Sequence, residues 1–305
     1  MRFAISIPQF HADGEFDPQT FTAYLRRAEE LGFHSGWTQE QTLALGDIPQ
    51  LSPIETMTYA AAVTTRLRLG CAVFVTPLHT PVMLARSLAS LDQLSRGRLE
   101  VGVGSGGRYR PFAAFGITGD GLISRFTEGI EVMKQLWTQP SVTYQGRFWQ
   151  LDDAKIIPGP FQKPCPPLWF GGGHDKALRR AVRLGDGFFG AGSATTAAFG
   201  EQVRTLRAHL AEAQRDPASF GVAKRVYIAV DEDTRRARAR MSDGLERVYG
   251  TDAFAPVAVT GSAAECVRGV REVIDAGAEL ILFTPLFDQA EQMERLAGEI
   301  IPQVS

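Results

Sequence analysis

Short runs rich in β-branched and aromatic residues alternate with longer stretches of helical periodicity along nearly the whole chain. Runs at residues 3–7, 35–38, 67–75, 98–103, 168–170, 187–190, 225–230 and 279–284 read as strands. Between them, residues 18–31, 53–62, 81–94, 125–137, 177–184, 196–213, 233–248 and 262–276 read as helices, with a last one at 289–300. In the first helix Phe21, Leu25 and Ala28 share one face, Asp17 and Pro18 form a start signal, and Gly32 is a stop. Strands separated by helices pair in parallel, because a parallel neighbour is reached only by a crossover. Eight such units within 305 residues favour a closed (β/α)8 TIM barrel over an open doubly wound sheet. Insertions follow the fourth and seventh strands. The first of them, residues 142–151, reads as a hairpin turning at Gln145 and Gly146. No linker or shift in composition divides the chain, so residues 1–305 are expected to form one α/β domain.

Composition narrows the function by exclusion. A formal net charge of −2 gives no general attraction to nucleic acid or to anionic membranes. No apolar run approaches the length of about 18 residues needed to span a bilayer. The first residues lead directly into a strand and lack the features of a secretion signal. Cys71, Cys165 and Cys266 are widely spaced, odd in number and without a CxxC pair. The expectation is a cytoplasmic protein acting on a small molecule.

In a barrel of this kind the chemistry sits at the C-terminal ends of the strands and in the loops after them. That rule selects Gln9, Phe10, Glu40, Gln41, residues 74–77, 105–110, 171–176 and 191–193, and Pro285. The five histidines show no HxH or HExxH spacing, so no metal site is expected. Paired strand-end carboxylates are absent, against glycoside hydrolysis, and no strand-end lysine supports an aldolase. Glycine, small residues and aromatics instead suit a large flat cofactor that brings its own reactivity. Residues 102–108 (GVGSGGR) resemble a dinucleotide fingerprint, but no helix opens behind them and no acidic residue stands at the required distance. They read either as a loose loop or as backbone approaching a ligand. Residues 171–177 (GGGHDKA) run from strand five straight into a helix, where free N–H groups make an anion site. Lys176, Arg179 and Arg180 add charge there or form a solvated face.

Residues 28–37 (AEELGFHSGW), 67–73 (LRLGCAV) and 84–104 (LARSLASLDQLSRGRLEVGVG) resemble segments of the luciferase-like monooxygenases and their deazaflavin-dependent relatives. So do residues 166–172 (PPLWFGG), 177–181 (ALRRA) and 185–187 (GDG), in register over nearly the whole chain. The resemblance implies a luciferase-like barrel binding reduced FMN or the deazaflavin coenzyme F420, which oxygenates, reduces or oxidises a small organic substrate. It also implies a homodimer. It sets the cofactor ring over Ala72 and Val73, at a bulge with a non-prolyl cis peptide, and its phosphate against Gly172, Gly173, His174 and Asp175. Ser105, Gly106 and Arg108 would line the ribityl chain or the substrate side, with Tyr109 and Arg110 receiving an anionic tail or remaining loop charge.

One position departs from the family. Where many relatives end strand two with an acid followed by a catalytic histidine, this chain reads Glu40-Gln41. Glutamine exchanges no proton near neutral pH, which leaves it to orient a carbonyl, with Glu40 as the remaining acid or as a loop cap. A barrel that binds cofactor with little turnover is the alternative reading.

Overall fold

The computed structural model describes residues 1–11, 15–107 and 112–305. In chain order the strands are β1 (Arg2–Ser6), β2 (Ser35–Thr38), β3 (Arg68–Val75), β4 (Leu99–Gly104), β5 (Val142–Gln145), β6 (Gln150–Ala154), β7 (Leu168–Gly171), β8 (Gly187–Gly190), β9 (Gly221–Val230), β10 (Val259–Gly261) and β11 (Leu280–Thr284). The main helices are α1 (Pro18–Glu30), α2 (Pro53–Val63), α3 (Pro81–Ser95), α4 (Leu122–Thr138), α5 (Asp175–Leu184), α6 (Thr196–Glu212), α7 (Thr234–Tyr249), α8 (Ala263–Asp275) and α9 (Gln289–Arg295). Strand β1 pairs in parallel with both β2 and β11, and β9 with both β8 and β11. The order β1-β2-β3-β4-β7-β8-β9-β11 therefore closes on itself, an eight-stranded parallel barrel with helices between its strands. Local sequence sets many of the helix ends. Asp17 accepts from the backbone of Gln19 and Thr20 to start α1, and Ser262 with Glu265 forms a capping box at α8.

Three apolar clusters hold the barrel, the third of them packing Tyr227 and Ala229 of β9 against Ala237, Met241 and Leu245 of α7. The largest lies between strands and helices; the second fills the interior with Trp37, Trp169, Phe189, Ala4, Ala223, Leu280 and Leu282. Such large rings fit inside because glycines face them. A Cβ on Gly70 would sit 2.4 Å from the Trp37 ring, and one on Gly187 or Gly221 would sit 2.3 or 2.4 Å from the Trp169 ring. The rings meet edge to face, Trp37 to Phe189 at 4.8 Å between centroids and Trp37 to Trp169 at 6.2 Å. Each indole N–H has a partner, Trp37 on Ser35 Oγ at 2.8 Å and Trp169 on Glu100 Oε2 at 2.6 Å. This plug is the floor on which the mouth is built.

Four features depart from the sequence expectation. Strand β9 starts at Gly221, four residues before residue 225, and its last residues pair with β10, a strand that periodicity did not reveal. The β5–β6 hairpin pairs Gln145 with Gln150, so its turn spans residues 146–149 and not the Gln145-Gly146 pair. The longer turn is held from outside, because the Glu128 carboxylate of α4 accepts from the N–H groups of Arg147, Phe148 and Trp149. The last helical stretch breaks after Arg295 into a π-turn, Leu296–Ile300. Helix α5 begins at Asp175, so residues 175 and 176 belong to its first turn.

Candidate active site at the barrel mouth

Strand β3 carries an irregularity that shapes the mouth. Its pairing with β4 shifts register between Cys71 and Phe74, and the Ala72–Val73 peptide is cis, as the resemblance implied. Ala72 and Val73 are half-buried there, while Phe74 packs fully into the core. The glycines of β4 and β7 make space for this bulge. A Cβ on Gly102 would lie 2.1 Å from the Cys71 carbonyl oxygen, one on Gly104 2.7 Å from Val73 Cγ2, and one on Gly171 3.4 Å from Val73 Cγ1. The first half of the 102–108 cluster thus answers to protein packing, a third reading beside loop and ligand. Ser105 is half-buried and Gly106 exposed, with a φ of +75° that suits glycine. Arg108, Tyr109 and Arg110 lie outside the described residues.

Beneath the bulge stands a residue the sequence rule passed over. Arg225, buried on β9, donates to Gln39 Oε1, to the Ala72 carbonyl at 2.9 Å and to the Tyr249 hydroxyl at 3.5 Å. Tyr249 itself donates to Gln39 Oε1 at 2.6 Å. Taken as the first residue of a strand beginning at 225, Arg225 belongs at the opposite end of the barrel. The true start of β9 lifts it to the mouth, level with Leu282 of β11. Only the register supplies that signal.

The two strand-two candidates face different partners. The Glu40 carboxylate, 5% exposed, accepts from the N–H of Val75 at 2.6 Å and pairs with His79 Nε2 at 2.8 Å. It thereby fixes the loop after β3. Gln41 donates to the Val248 carbonyl of α7 at 3.1 Å. Gln9, also picked by the strand-end rule, clips the β1 and β2 loops through Gln39 and Leu51.

Across the mouth, Gly171 leads from β7 into α5. Gly172 has a φ of +105°, and His174 caps the helix without a side-chain bond. The amides of Ala177 and Leu178 turn back to the His174 carbonyl. Among the described residues no acceptor takes the N–H groups of His174, Asp175 or Lys176. The Asp175 side chain points away, bonded to His209 Nε2 at 2.7 Å and to Arg179 at 3.3 Å, and the His209 bond holds its carboxyl below the usual range. Arg179 also reaches Glu212, and Arg180 lies over the Phe126 ring, which leaves the first-turn backbone amides as the free donors at this end of α5.

A second buried cation, Lys224, faces outward from β9 over the Phe199 ring and donates to the carbonyls of Ala191 and Ala194. It stands inside β9 and not at its C-terminal end, so it is no strand-end lysine. Its amine serves the loop after β8, not the barrel interior. Burial first, then the charge of Arg225, pulls its pKa down to about 7 from an ordinary 10.5. Between those values the unfolded chain holds a proton that the folded chain has released, so Lys224 makes stability rise with pH across that window. The urea midpoint of wild type relative to that of Lys224→Met should rise with pH through that window. Parallel curves would contradict the assignment.

Comparison with known proteins identifies the class that this barrel and mouth define. Residues 1–280 match the luciferase-like monooxygenase family, and the chain belongs to that family. It is 32% identical over 181 residues to an F420-dependent glucose-6-phosphate dehydrogenase of Amycolatopsis mediterranei, covering 57% of this chain and 54% of that protein. It is 28% identical over 246 residues to an FMNH2-dependent dimethylsulfone monooxygenase of Pseudomonas putida, covering 78% and 64%. Several of the curated relatives are matched over only about half their own length. An F420-dependent secondary alcohol dehydrogenase, solved with an F420–acetone adduct, shares the fold with a TM-score of 0.86 at 19% identity, over 100% of this chain and 99% of that one. Among the described residues no helix is long and apolar enough to cross a membrane, and no group of three acidic, histidine or cysteine side chains is placed to hold a metal.

Proposed function

We propose that the protein is an oxidoreductase that holds reduced FMN or coenzyme F420 in the barrel mouth and turns over a small organic substrate there. The observation that carries this reading is the pairing of two features across one opening. On one side the half-buried Ala72–Val73 bulge faces a wall of glycines; on the other, the first-turn amides of α5 have no acceptor. The first suits a flat ring and the second its phosphate. The bound cofactor supplies the redox chemistry, hydride transfer with the deazaflavin or oxygen activation with FMN.

The chain's own residues then have distinct tasks. Ala72 and Val73 support the ring, with Arg225 fixing the Ala72 carbonyl from below. Gly172, Gly173, His174 and Asp175 present backbone N–H groups to the phosphate. Ser105 and Gly106 border the ribityl chain. Glu40 positions the β3 loop through Val75 and His79, and the tryptophan floor excludes water. Gln41 supplies no proton, so acid–base work at the strand-two position falls outside this scheme. The whole chain acts as one domain in the cytoplasm. It forms a homodimer through α2 and α3, where Tyr59, Met83 and Leu94 are exposed. Anaerobic titration with each reduced cofactor is the test. Saturable binding of one is expected, and binding of neither overturns the proposal.

A further inference from the structure

Beside the bulge, residues of β1, β2, β9 and β11 border a small recess open to solvent, lined by Ser6, Trp37, Gln39, Arg225, Thr284 and Leu286, among others. Arg225 is 8% exposed, and among the described residues no carboxylate stands within ion-pairing distance of it. Its oxygen partners, Gln39, Ala72, Tyr249 and Tyr227, are an amide, a peptide carbonyl and two phenols. Burial pushes the neighbouring Tyr227 phenol well above its ordinary value, so that ring brings no negative charge either. A guanidinium has five N–H donors, more than these partners use. A buried charge with neutral partners alone is costly, and such groups are normally matched by an opposite charge.

Two further groups in the recess point the same way. The hydroxyls of Ser6 and Thr284 are buried and have no hydrogen-bond partner among the described residues. Thr284 is only 4% exposed. Buried polar atoms are rarely left unpaired, so two of them in one recess call for an explanation. Register brings them together: Ile5 is level with Phe283, which sets Ser6 beside Thr284, and Leu282 is level with Arg225. Two hydroxyl donors and a fork of N–H donors thus line one recess to which no described residue brings an anion.

We propose that this recess is the subsite for an oxyanion of the substrate, a carboxylate or a phosphate, held by Arg225 together with Ser6 and Thr284. The proposal rests on the reading of the mouth as the active site and adds the chemical class of the molecule turned over there. An acid group seated at Arg225 would anchor the substrate at the barrel centre, with its remainder directed toward the bulge. A charge-assisted bond of this kind gives both affinity and orientation.

The test is calorimetric titration of the full-length protein with acetate, with inorganic phosphate and with neutral, isosteric acetamide. Acetate or phosphate should bind and acetamide should not; whichever anion binds identifies the oxyanion. Thr284→Val and Ser6→Ala preserve shape and should each weaken the anion about tenfold, while reduced-cofactor affinity and the circular dichroism spectrum stay as in wild type. Unchanged anion affinity in both variants, or acetamide binding as well as acetate, overturns the proposal. So does a protein that holds cofactor but takes neither anion. A protein that takes the anion with this variant dependence but holds no cofactor upholds the subsite and removes the redox reading instead.

Discussion

Trp169→Ala is expected to lower the free energy of unfolding by about 3–5 kcal/mol, the range for deleting a buried aromatic ring. Its indole is 4% exposed at the centre of the barrel, against Trp37 and Phe189, and fills the space left by Gly187 and Gly221. Collapse around the cavity is restricted, because the walls are strands in a closed, hydrogen-bonded ring. The truncation also removes the N–H that Glu100 Oε2 accepts, leaving that buried carboxylate with Arg68 as its side-chain partner. Trp169→Phe separates the two effects. It retains most of the ring and loses the N–H, so its cost should be smaller, about 1–3 kcal/mol. Urea unfolding of both variants measures this, and a phenylalanine variant no more stable than the alanine one would refute the packing account.

Gly102→Ala is expected to be nearly as severe for one added methyl group. An ordinary Cβ contact is longer than 3.4 Å, and this one would fall 2.1 Å from the Cys71 carbonyl oxygen and 3.2 Å from Val73 Cγ1. Both neighbours belong to β3 at its bulge, and the closer is backbone, which cannot swing aside as a side-chain end would. Overpacking of this kind costs about 1–3 kcal/mol, occasionally more. The consequence for function should be larger than for stability, because the strain is relieved by moving Ala72 and Val73, the residues proposed to support the cofactor. Reduced-cofactor affinity should fall by at least about tenfold. Gly107→Ala, where a Cβ meets no described residue within 4 Å, is the control and should bind as wild type does. Equal affinities for both variants would show that the glycine cluster does not shape the site.

These two positions also show how far the sequence can be read. Gly102 was visible as one of a cluster, and two explanations were at hand, a loose loop or backbone near a ligand. Its actual neighbour, the Cys71 carbonyl, lies 31 positions earlier on an adjacent strand, and no local pattern encodes that approach. The Trp37 indole is fully buried. That Trp37 and Trp169 meet each other inside the barrel depended on closure. The hairpin turn was misplaced for a similar reason, since Glu128 on a neighbouring helix binds its amides and holds it open.

Sequence alone determined the parallel (β/α)8 barrel and the glycine-led turn into α5, though not the first residue of that helix, because strand and helix periodicity, caps and glycine positions are written within a few residues of where they act. The family followed from the same local segments. Tertiary structure alone decided what surrounds the bulge. Strand β9 begins four residues before its apolar pattern suggests, and that register carries Arg225 to the mouth, beneath the Ala72 carbonyl and beside two hydroxyls without partners among the described residues. Side chains alternate strictly along a strand, but the height at which each one stands is fixed by its neighbours. A charge in this mouth is therefore a property of the closed sheet.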